Sequence, residues 1–384
     1  MVAAALWAAI VLGALGLFCA IANLLLLPRL SAARGRPGET LRVSVVIPAR
    51  NEERDVEATV SAHLAQTYPN FEVIVVDDRS TDATGAILDR LSSRDPRLRV
   101  LRSEEPPAGW LGKPNALALG AREASGEVLL FADADVRYDP RTLSEAIGFL
   151  EANRLDFLAL IPRFEVRGFW ERVLMPYLIG AVFFAPAFLA NRRARWVAIG
   201  GGAGNLIRRR VYDAVGGHGA LRDSVIDDVR LAYRVKATGF RSGLARAEDR
   251  ISVRMYRGFR EIFDGFTKNT AYVFEGRYAV PLFVWTAAML GFSLLPTAVL
   301  AAAPFEIAAA TPGNVRLAVA AFAVSVAGRA VVAAGVGDRI WPAFAHPVTA
   351  GVWSAILARS LFHRFVRRRL LWRGREFDAR GARF

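Results

Sequence analysis

Two carboxylates separated by a single residue follow a short apolar run. Asp133 and Asp135 come directly after residues 128–131, which are typical of a buried strand. Hard oxygen ligands suit Mg²⁺ or Mn²⁺, which usually takes one or two carboxylates plus substrate phosphates. Such an ion would neutralise charge on a departing nucleotide diphosphate. The pattern predicts a divalent metal site, while a solvated turn at a strand end remains the simpler alternative.

Two further acidic pairs could take part in chemistry. Asp77 and Asp78 also follow an apolar run, whereas Asp227 and Asp228 open a predicted helix at 228–238. Adjacent carboxylates are costly unless hydrogen bonds or opposite charges compensate them. One of the first pair could accept a hydrogen bond from a nucleotide base or ribose. Asp228 could deprotonate an acceptor hydroxyl as a general base. Alternatively, Asp227 and Asp228 are ordinary helix caps, and Asp82 or Thr81 simply caps the helix that follows the first pair.

Two polar loops precede predicted helices. The segment 45–53, VVIPARNEE, ends a strand near Pro48 and leaves free amides that could meet a carbonyl or phosphate. In WLGKPNA, Gly112 allows close backbone approach and Lys113 offers a charge for a phosphate. A plain helix start and a solvated lysine are the alternatives.

Two later segments are also candidates for substrate contact. The glycine-rich run 199–205 lets the backbone pass close to a substrate, but it lacks the context of a dinucleotide or P-loop fingerprint. Arg254 and Arg257 precede an apolar region, where either could bind a diphosphate or lipid headgroups.

The composition limits the class of protein. Hydrophobic residues make up 53% of the 384 residues and the mean hydropathy is +0.27, which indicates membrane segments. The net charge of +14 suits nucleic acid, anionic lipid or phosphorylated substrates, but no nucleic-acid-binding pattern occurs in the sequence. The single cysteine, Cys19, excludes a disulfide framework, and the four histidines have no metal-ligand spacing.

Alternating apolar runs and helical stretches predict the scaffold that positions these residues. Continuous apolar strands joined by helices favour a parallel sheet covered on both faces, with ligands beyond the carboxyl ends of the strands. Two of the acidic pairs stand at such ends. The predicted strands are 43–47, 73–76, 98–101 and 128–131, and the predicted helices are 53–66, 82–93, 113–124 and 141–152.

The N-terminal segment predicts a membrane anchor over residues 1–28. Residues 1–27 carry no charged side chain, whereas a signal peptide has a basic start and a shorter apolar core. Arginines follow at positions 29, 34, 36 and 42. By the positive-inside rule this end is cytoplasmic and the N-terminus faces outward. The soluble pattern that follows predicts a catalytic domain at 41–278.

An uncharged run at 173–190 interrupts that domain and contains Pro176 and Pro186. A spanning helix there would put the two halves of the domain on opposite sides of the membrane. We therefore expect an interfacial or half-inserted segment that rests on the bilayer.

The C-terminal region, 279–362, predicts membrane segments followed by a basic cytoplasmic tail at 363–384. Three crossings from a cytoplasmic domain would place this tail outside. The last segment contains Pro342 and Pro347, so we expect it to be re-entrant or interfacial. The apolar stretches are 279–303, 317–336 and 341–362.

Together, the ordered motifs resemble the family 2 glycosyltransferases, an inverting group with the GT-A nucleotide-sugar fold. The resemblance covers residues 43 to about 275 and rests on VVIPARNEE, VVDDRSTD, WLGKPNAL, FADADV, GGAGNLIRR and IDDVRLAYRVK. It implies an α/β fold with a mostly parallel central sheet, to which the sequence adds N-terminal and C-terminal membrane helices. It also implies a nucleotide-sugar donor, for which we expect a UDP-sugar, and a single in-line displacement.

The resemblance also implies a role for each matching position on the nucleotide side. Pro48, Ala49 and Glu52 are similar to the loop that lines the nucleoside. Asp78 resembles the carboxylate that meets the base, and Asp77 resembles its support.

On the reaction side, the resemblance implies that Lys113 lies near the phosphates. Asp133 and Asp135 resemble the motif that holds Mg²⁺ or Mn²⁺, with Asp135 as the closer ligand and Asp133 also able to serve the ribose or phosphates. Asp228 resembles the catalytic base.

One departure from the family pattern bears on the product. Processive synthases carry a (Q/R)xxRW motif after the acidic base, but here the sequence RRARW at 192–196 precedes Asp227 and Asp228. This order favours transfer of a single sugar. The anchor, the apolar C-terminal segments and the WRGR tail most resemble the bacterial subgroup linked to carotenoids and hopanoids, which implies an isoprenoid-type lipid acceptor.

The expected protein is thus a multi-pass enzyme of the bacterial inner membrane, with a cytoplasmic catalytic domain pressed against the lipid bilayer. One alternative is sugar transfer to a polyprenyl phosphate or a cell-envelope polysaccharide. Another is a non-catalytic membrane scaffold that kept the fold. The sequence does not indicate an oligomeric state.

Overall fold

The computed structural model describes residues 1–32, 41–192, 197–273, 279–305, 307–367, 369–372 and 375–378. Contacts divide the chain into two compact units. The sheet unit comprises Leu27–Glu165 and Leu189–Met255, and the helical unit comprises Met1–Leu26, Val166–Phe188 and the described residues from Tyr256 onward. Residues 166–188 and the described part of 256–278 make their contacts within the helical unit. The catalytic domain at 41–278 stays a prediction.

The helices and strands are numbered in chain order. The helices are α1 Val2–Leu26, α2 Val56–Leu64, α3 Thr84–Ser92, α4 Gly112–Glu123, α5 Thr142–Ala152, α6 Phe169–Leu174, α7 Pro176–Phe183, α8 Arg209–Ala214, α9 Asp227–Ala237, α10 Gly258–Asn269, α11 Ala279–Ala302, α12 Pro312–Gly335 and α13 His346–Phe362. The strands are β1 Val43–Ala49, β2 Phe71–Asp77, β3 Leu98–Arg102, β4 Val128–Phe131, β5 Val136–Tyr138, β6 Phe157–Ile161, β7 Arg163–Phe164, β8 Asn205–Arg208, β9 Ser242–Arg246, β10 Ile251–Val253, β11 Arg369–Trp372 and β12 Arg375–Asp378.

The sheet unit is built on a seven-stranded sheet in the order β3-β2-β1-β4-β8-β6-β9. Strand β8 runs antiparallel to its neighbours β4 and β6, and the other neighbouring pairs are parallel. Every residue of β2 and β4 is buried, as expected for strands covered on both faces. The prediction of a mostly parallel sheet is confirmed, and the four predicted strands occur within two residues of their predicted ends.

The two faces of the sheet bury alternate residues, because successive side chains of a strand point to opposite sides. Val45 and Val73 pack into the main core with Leu30, whereas Ile74 packs against Ala116 of α4 on the other face. A smaller sheet, in the order β5-β10-β7, extends beyond β4. The candidates Asp78, Asp133 and Asp135 lie on the loops after β2 and β4, so the core of this sheet fixes their positions, whereas Lys113 lies in α4 and Asp228 in α9.

Two described helices of the helical unit, α1 and α12, are long and apolar enough to cross a membrane. They pack against each other, and α1 also packs against α7 and α11. By length and composition they match two of the predicted membrane segments, while membrane insertion itself stays a prediction.

The apolar run at 173–190 is not one continuous helix. It is divided into the end of α6, the eight-residue α7 and a turn of 3₁₀ helix at Ala187–Asn191. The Nδ2 of Asn23 in α1 donates to the carbonyls of Phe183 (2.8 Å) and Ala185 (2.7 Å), and its Oδ1 accepts from the amide of Phe188 at 2.7 Å. A single spanning helix is therefore excluded here, and the interfacial placement stays a prediction.

Two side-chain hydrogen bonds hold helix α13 to the C-terminal end of α6. Thr349 Oγ1 donates to the carbonyl of Val173 at 2.9 Å, and Trp353 Nε1 donates to that of Leu174 at 3.2 Å. With 17 residues, α13 is about 26 Å long at ~1.5 Å per residue. That length is short for a full crossing, and its re-entrant or interfacial position stays a prediction.

Candidate active site

The loops after β1 and β2 are fastened to each other at the carboxyl edge of the sheet. The amide of Asp78 donates to the carbonyl of Ala49 at 2.8 Å. Asn51 accepts at Oδ1 from the amide of Thr81 (2.8 Å), and its own amide donates to Ser80 Oγ at 3.0 Å. Asn51 has φ 53°, a left-handed conformation that asparagine tolerates better than most residues. The two loops form one polar rim, as their shared edge predicted.

Within this rim, Asp77 and Asp78 are both buried but have different partners. Asp77 accepts from the amide of Ser80 at 3.0 Å and forms an ion pair with Arg102. Asp78 accepts from Ser103 Oγ at 2.9 Å. The backbone of Asp77 also continues β2, so Asp77 fixes the loop on which Asp78 is carried.

The other predicted residues of this rim are placed as follows. Pro48 is half-buried in β1 and Ala49 is buried next to it. The amide of Glu52 donates to Thr84 Oγ1 at 2.7 Å, which joins the segment before α2 to the start of α3. The structure therefore gathers the predicted nucleoside residues at one edge of the sheet.

A pocket lies next to this rim, where the end of β4 meets α4 and α9. Lys113 Nζ is 2.7 Å from Asp133 Oδ1 and 3.7 Å from Asp227 Oδ1. The pocket has about 250 Å³ of free space, including its opening to solvent. The residues that line it are Lys113, Leu117, Phe131, Ala132, Asp133, Gly202, Asn205, His218, Asp227, Asp228 and Leu231.

The charges in the pocket make its acidic residues unequal. Burial raises the pKa of the Asp228 carboxyl to about 6, although Lys113 favours its ionised form. Burial would also raise the pKa of Asp227, but Lys113 and His218 outweigh it and hold that pKa below the ordinary value. Burial lowers the pKa of Lys113, yet Asp133, Asp227 and Asp228 outweigh this effect and keep it well above the ordinary value. Near neutral pH the pocket thus contains a firmly charged ammonium, and Asp228 is a more basic carboxylate than its neighbour Asp227.

The glycine-rich loop passes very close to these carboxylates. The amide of Asp133 donates to the carbonyl of Gly202 at 2.8 Å. A Cβ on Gly202 would lie 2.0 Å from Asp133 Oδ2, and a Cβ on Gly200 would lie 2.3 Å from the carbonyl oxygen of Asp228. These positions need glycine because the loop passes close to other protein atoms, and its close approach to a substrate stays a prediction.

Gly202→Ala is expected to lower the free energy of unfolding by about 1–3 kcal/mol, because overpacking forces the Asp133 side chain or the loop to move. Denaturant unfolding of the variant measures this loss. Gly201→Ala is the matched control, since a Cβ there meets no atom within 4 Å. Equal stability of the two variants would contradict this account of the loop.

Two polar residues of the pocket, His218 and Asn205, had no predicted role of their own. His218 is buried against Phe131, with ring centroids 4.7 Å apart, and its Nδ1 lies 3.0 Å from Tyr212 Oη. Its Nε2 lies 3.8 Å from Asp227 Oδ2. The sequence showed only that the histidines have no metal-ligand spacing. It gave no indication that His218 lies beside the acidic pair that begins 9 positions later.

Asn205 is the second such residue and begins β8. It is 1% exposed and its Oδ1 accepts from the amide of Gly201 at 3.3 Å. Its Nδ2 donates to the carbonyl of Asp228 at 3.4 Å. In the sequence, the only indication of this position was that Asn205 ends the glycine-rich run.

Three predicted residues belong neither to the rim nor to the pocket lining. Asp135 is half-buried two residues beyond Asp133, just before β5. Arg254 directly follows β10 in the sheet unit, whereas Arg257 precedes α10 in the helical unit. Within the described part of the chain, no three His, Cys, Asp or Glu side chains form a group that could hold a metal ion. The predicted motif therefore offers a metal ion two carboxylate ligands, Asp133 and Asp135.

Comparison with known proteins identifies the domain. The family model "Glycosyl transferase family 2" matches residues 44–216. A 4,4'-diaponeurosporenoate glycosyltransferase from Staphylococcus haemolyticus is 26% identical over 246 residues, which are 63% of this chain and 64% of that protein. A beta-monoglucosyldiacylglycerol synthase from a Synechocystis species is 29% identical over 209 residues, or 53% of this chain and 42% of that protein. The matches thus span less than two thirds of either relative.

A solved structure agrees with the sheet topology. Mannosyltransferase PcManGT from Pyrobaculum calidifontis, in complex with GDP-Man and Mn²⁺, has a TM-score of 0.60. It is 21% identical, and the alignment covers 94% of this chain and 98% of that one. At this identity the likeness establishes the fold, which is GT-A. Residues 44–216 match the family 2 glycosyltransferase model, and through this domain the chain is similar to that family.

Proposed function

We propose that the chain transfers a sugar from a nucleotide-sugar donor to a lipid acceptor in the membrane, with inversion and with the help of a divalent metal ion. The observation that carries the proposal is the pocket in which Lys113 lies between Asp133 and Asp227, beside Asp228. A fixed positive charge can stabilise a departing diphosphate, and a carboxylate can accept a proton from the attacking group. Both requirements of glycosyl transfer are met within one pocket.

The donor's nucleoside binds on the rim formed by the loops after β1 and β2. Pro48, Ala49 and Glu52 line it, and Asp78 accepts a hydrogen bond from the base. Asp77 supports the loop, since its carboxylate is engaged by Ser80 and Arg102. A UDP-sugar is the proposed donor. The similar structure contains GDP-Man, so binding of both nucleotides is to be compared.

The donor's phosphates bind near Lys113, and the metal ion binds at Asp135 and Asp133. Two carboxylates fit Mg²⁺ or Mn²⁺ because these ions take their remaining ligands from phosphate oxygens and water. The bound ion would neutralise charge that develops on the leaving diphosphate. Arg254 and Arg257 are proposed as further phosphate contacts.

Asp228 is the proposed general base. The amide of Val229 donates to its Oδ1 at 2.8 Å, so Oδ2 is assigned the proton of the acceptor hydroxyl. Removal of this proton makes the acceptor oxygen more nucleophilic. The oxygen then attacks the anomeric carbon in line with the departing diphosphate. A pKa of about 6 makes Asp228 a stronger base than an ordinary aspartate while leaving it ionised at neutral pH.

The pH dependence of transfer is expected to follow Asp228. The carboxyl must be ionised to act as a base, so kcat/KM should fall about tenfold per pH unit below a pKa of about 6. An aspartate of ordinary pKa, about 3.9, would keep the rate constant down to about pH 5. Initial rates between pH 4.5 and 8, with the enzyme's stability checked at each pH, measure the profile. A flat profile from pH 8 to 5 would contradict the raised pKa of Asp228.

The acceptor is proposed to be an isoprenoid-type lipid, and the protein a multi-pass protein of the inner membrane with its catalytic domain in the cytoplasm. The apolar helices α1 and α12 support membrane association. The names of the relatives support a lipid acceptor, since one acts on a carotenoid acid and another is a synthase of a glucosyl diacylglycerol. A lipid that stays in the bilayer requires an enzyme that reaches the membrane surface.

Mass spectrometry of lipid extracts tests this proposal most directly. Cells with the wild-type gene are compared with cells that lack it and with cells that carry Asp228→Asn. A lipid that is heavier by one sugar is expected only with the wild-type gene. An added sugar polymer would replace the lipid proposal by polysaccharide synthesis, and a sugar on polyprenyl phosphate would replace the acceptor class. A cellular role retained in both Asp228→Asn and Asp135→Asn would support a non-catalytic scaffold.

A further inference from the structure

Helix α12 carries an arginine on an otherwise apolar stretch. Arg329 lies six residues before the helix ends at Gly335, about 9 Å along the axis at ~1.5 Å per residue. Its guanidinium carbon stands over the ring of Tyr177 in α7, 5.4 Å from the centroid. A charged residue within a membrane-type helix is expensive and commonly has a binding or transport role.

The charge of Arg329 is not neutralised by a carboxylate. Among the residues that the structure describes, no Asp or Glu side chain forms an ion pair with Arg329. The Tyr177 ring offers a cation–π contact, which uses one face of the guanidinium and leaves its edge donors available for an oxygen ligand. Arg359 of α13, by contrast, pairs with Asp264 at 2.6 Å.

A second polar group without a partner lies nearby. His346, the first residue of α13, is 4% exposed, and neither of its ring nitrogens has a hydrogen-bond partner among the described residues. An imidazole always carries at least one N–H donor. Leaving such a group buried and unsatisfied is costly, and a bound ligand is one of the few explanations for it.

The packing brings these side chains together within the helical unit. Helix α12 packs against α7, which carries Tyr177, and against the 3₁₀ turn Trp341–Ala345 that leads into His346. The positive charge of Arg329 acts electrostatically on the His346 imidazole. Tyr177 in turn stacks on Trp353 of α13, with centroids 4.9 Å apart. Three helices thus surround one cation and one unsatisfied imidazole.

We propose that Arg329, Tyr177 and His346 form a binding site for the oxyanion head of a lipid. A phosphate or carboxylate oxygen would accept from the free edge of Arg329 and from the N–H of His346, while the acyl or isoprenoid chain lies along the apolar helices. Basic pockets between membrane helices bind anionic head groups in this way. The site belongs to the helical unit, and it goes beyond the transfer reaction because it requires no donor sugar.

Binding of a matched pair of isoprenoids tests the site without any turnover. Retinoic acid and retinol have the same chain and differ in the charge of the head. Each is titrated into the full-length protein in neutral detergent, and the midpoint of tryptophan quenching gives the affinity. Wild type is expected to bind the acid about tenfold or more tightly than the alcohol, as charge-assisted hydrogen bonds require. Arg329→Gln should abolish this preference.

Control variants separate the site from general effects. Arg316→Gln removes an exposed arginine of the same helix and should keep the preference of the wild type. Arg329→Lys keeps the charge but loses the planar fork, so an intermediate preference is expected; it also serves if Arg329→Gln does not fold. An unchanged preference in the Arg329 variants, or equal affinity of wild type for acid and alcohol, would overturn the proposal.

Competition identifies the source of the oxyanion. Displacement of retinoic acid by phosphatidylglycerol, but not by phosphatidylcholine, would assign the site to a phospholipid head group. Persistence of retinoic acid against both phospholipids would assign it to a carboxylate-headed lipid. Either result supports the proposed chemistry.

Discussion

Asp228→Asn is expected to reduce kcat for sugar transfer by about 10²–10⁴-fold, the range that a positioned general base contributes. The amide has nearly the same shape as the carboxylate but cannot accept the proton of the acceptor hydroxyl. Binding of the donor should be almost unchanged, because Lys113 and the predicted metal motif keep their positions. Initial rates with the acceptor lipid and calorimetric binding of the nucleotide sugar measure the two effects.

Asp223→Asn is the matched control for this variant. Asp223 lies just before the same helix and pairs with Arg230 at 3.0 Å, outside the residues that line the pocket. It should transfer sugar at nearly the wild-type rate. Wild-type turnover in Asp228→Asn would exclude this residue as the base. Equal losses of donor affinity and turnover would show that the substitution damages the donor site.

Asp135→Asn is expected to abolish Mn²⁺-dependent turnover. We expect a loss of about 100-fold or more, since even residues behind the metal ligands typically contribute 10–100-fold. An amide oxygen carries no charge and binds a hard divalent ion much more weakly than a carboxylate. The Mn²⁺ concentration for half-maximal activity, measured by rate assays, reports the effect. Binding of Mn²⁺ to the protein–nucleotide complex, followed by electron paramagnetic resonance, gives a second measurement.

Asp133→Asn and Asp139→Asn complete the comparison. Asp133 also pairs with Lys113, so its replacement should weaken donor binding as well as metal binding. Asp139 lies after β5, near Arg141 and Arg250, and its replacement should leave the metal dependence unchanged. Full Mn²⁺-dependent activity in Asp135→Asn would exclude Asp135 as a metal ligand.

The pattern of the sequence predicted the sheet because the strands are almost uniformly apolar. In β2 and β4 burial on both faces leaves little ambiguity, and the parallel order brings the acidic pairs to one edge. The antiparallel insertion of β8 was not predicted. It follows the glycine-rich run, and its neighbours β4 and β6 are fixed by long-range pairing that has no local signal.

The electrostatics of the pocket could not be predicted from the sequence. Lys113 was expected near phosphates, and its bridge between Asp133 and Asp227 depends on how α4, β4 and α9 pack. His218 helps to lower the pKa of Asp227. Its ring is oriented by Phe131 and Tyr212, a contact that joins residues from three elements. The sequence shows which carboxylates are present, but the packing of the fold determines which of them has a raised pKa.

Asn23 has a consequence for the biosynthesis of this chain. Its side chain bonds to Ala185, 162 positions later, so α1 leaves the ribosome about 10–30 s before that partner exists at ~5–20 residues per second. During this interval the Asn23 amide must be satisfied by water or the insertion machinery. Expression of a fragment without α1 would leave the carbonyls of Phe183 and Ala185 without their donor. A soluble catalytic fragment should therefore omit residues 166–188 together with α1.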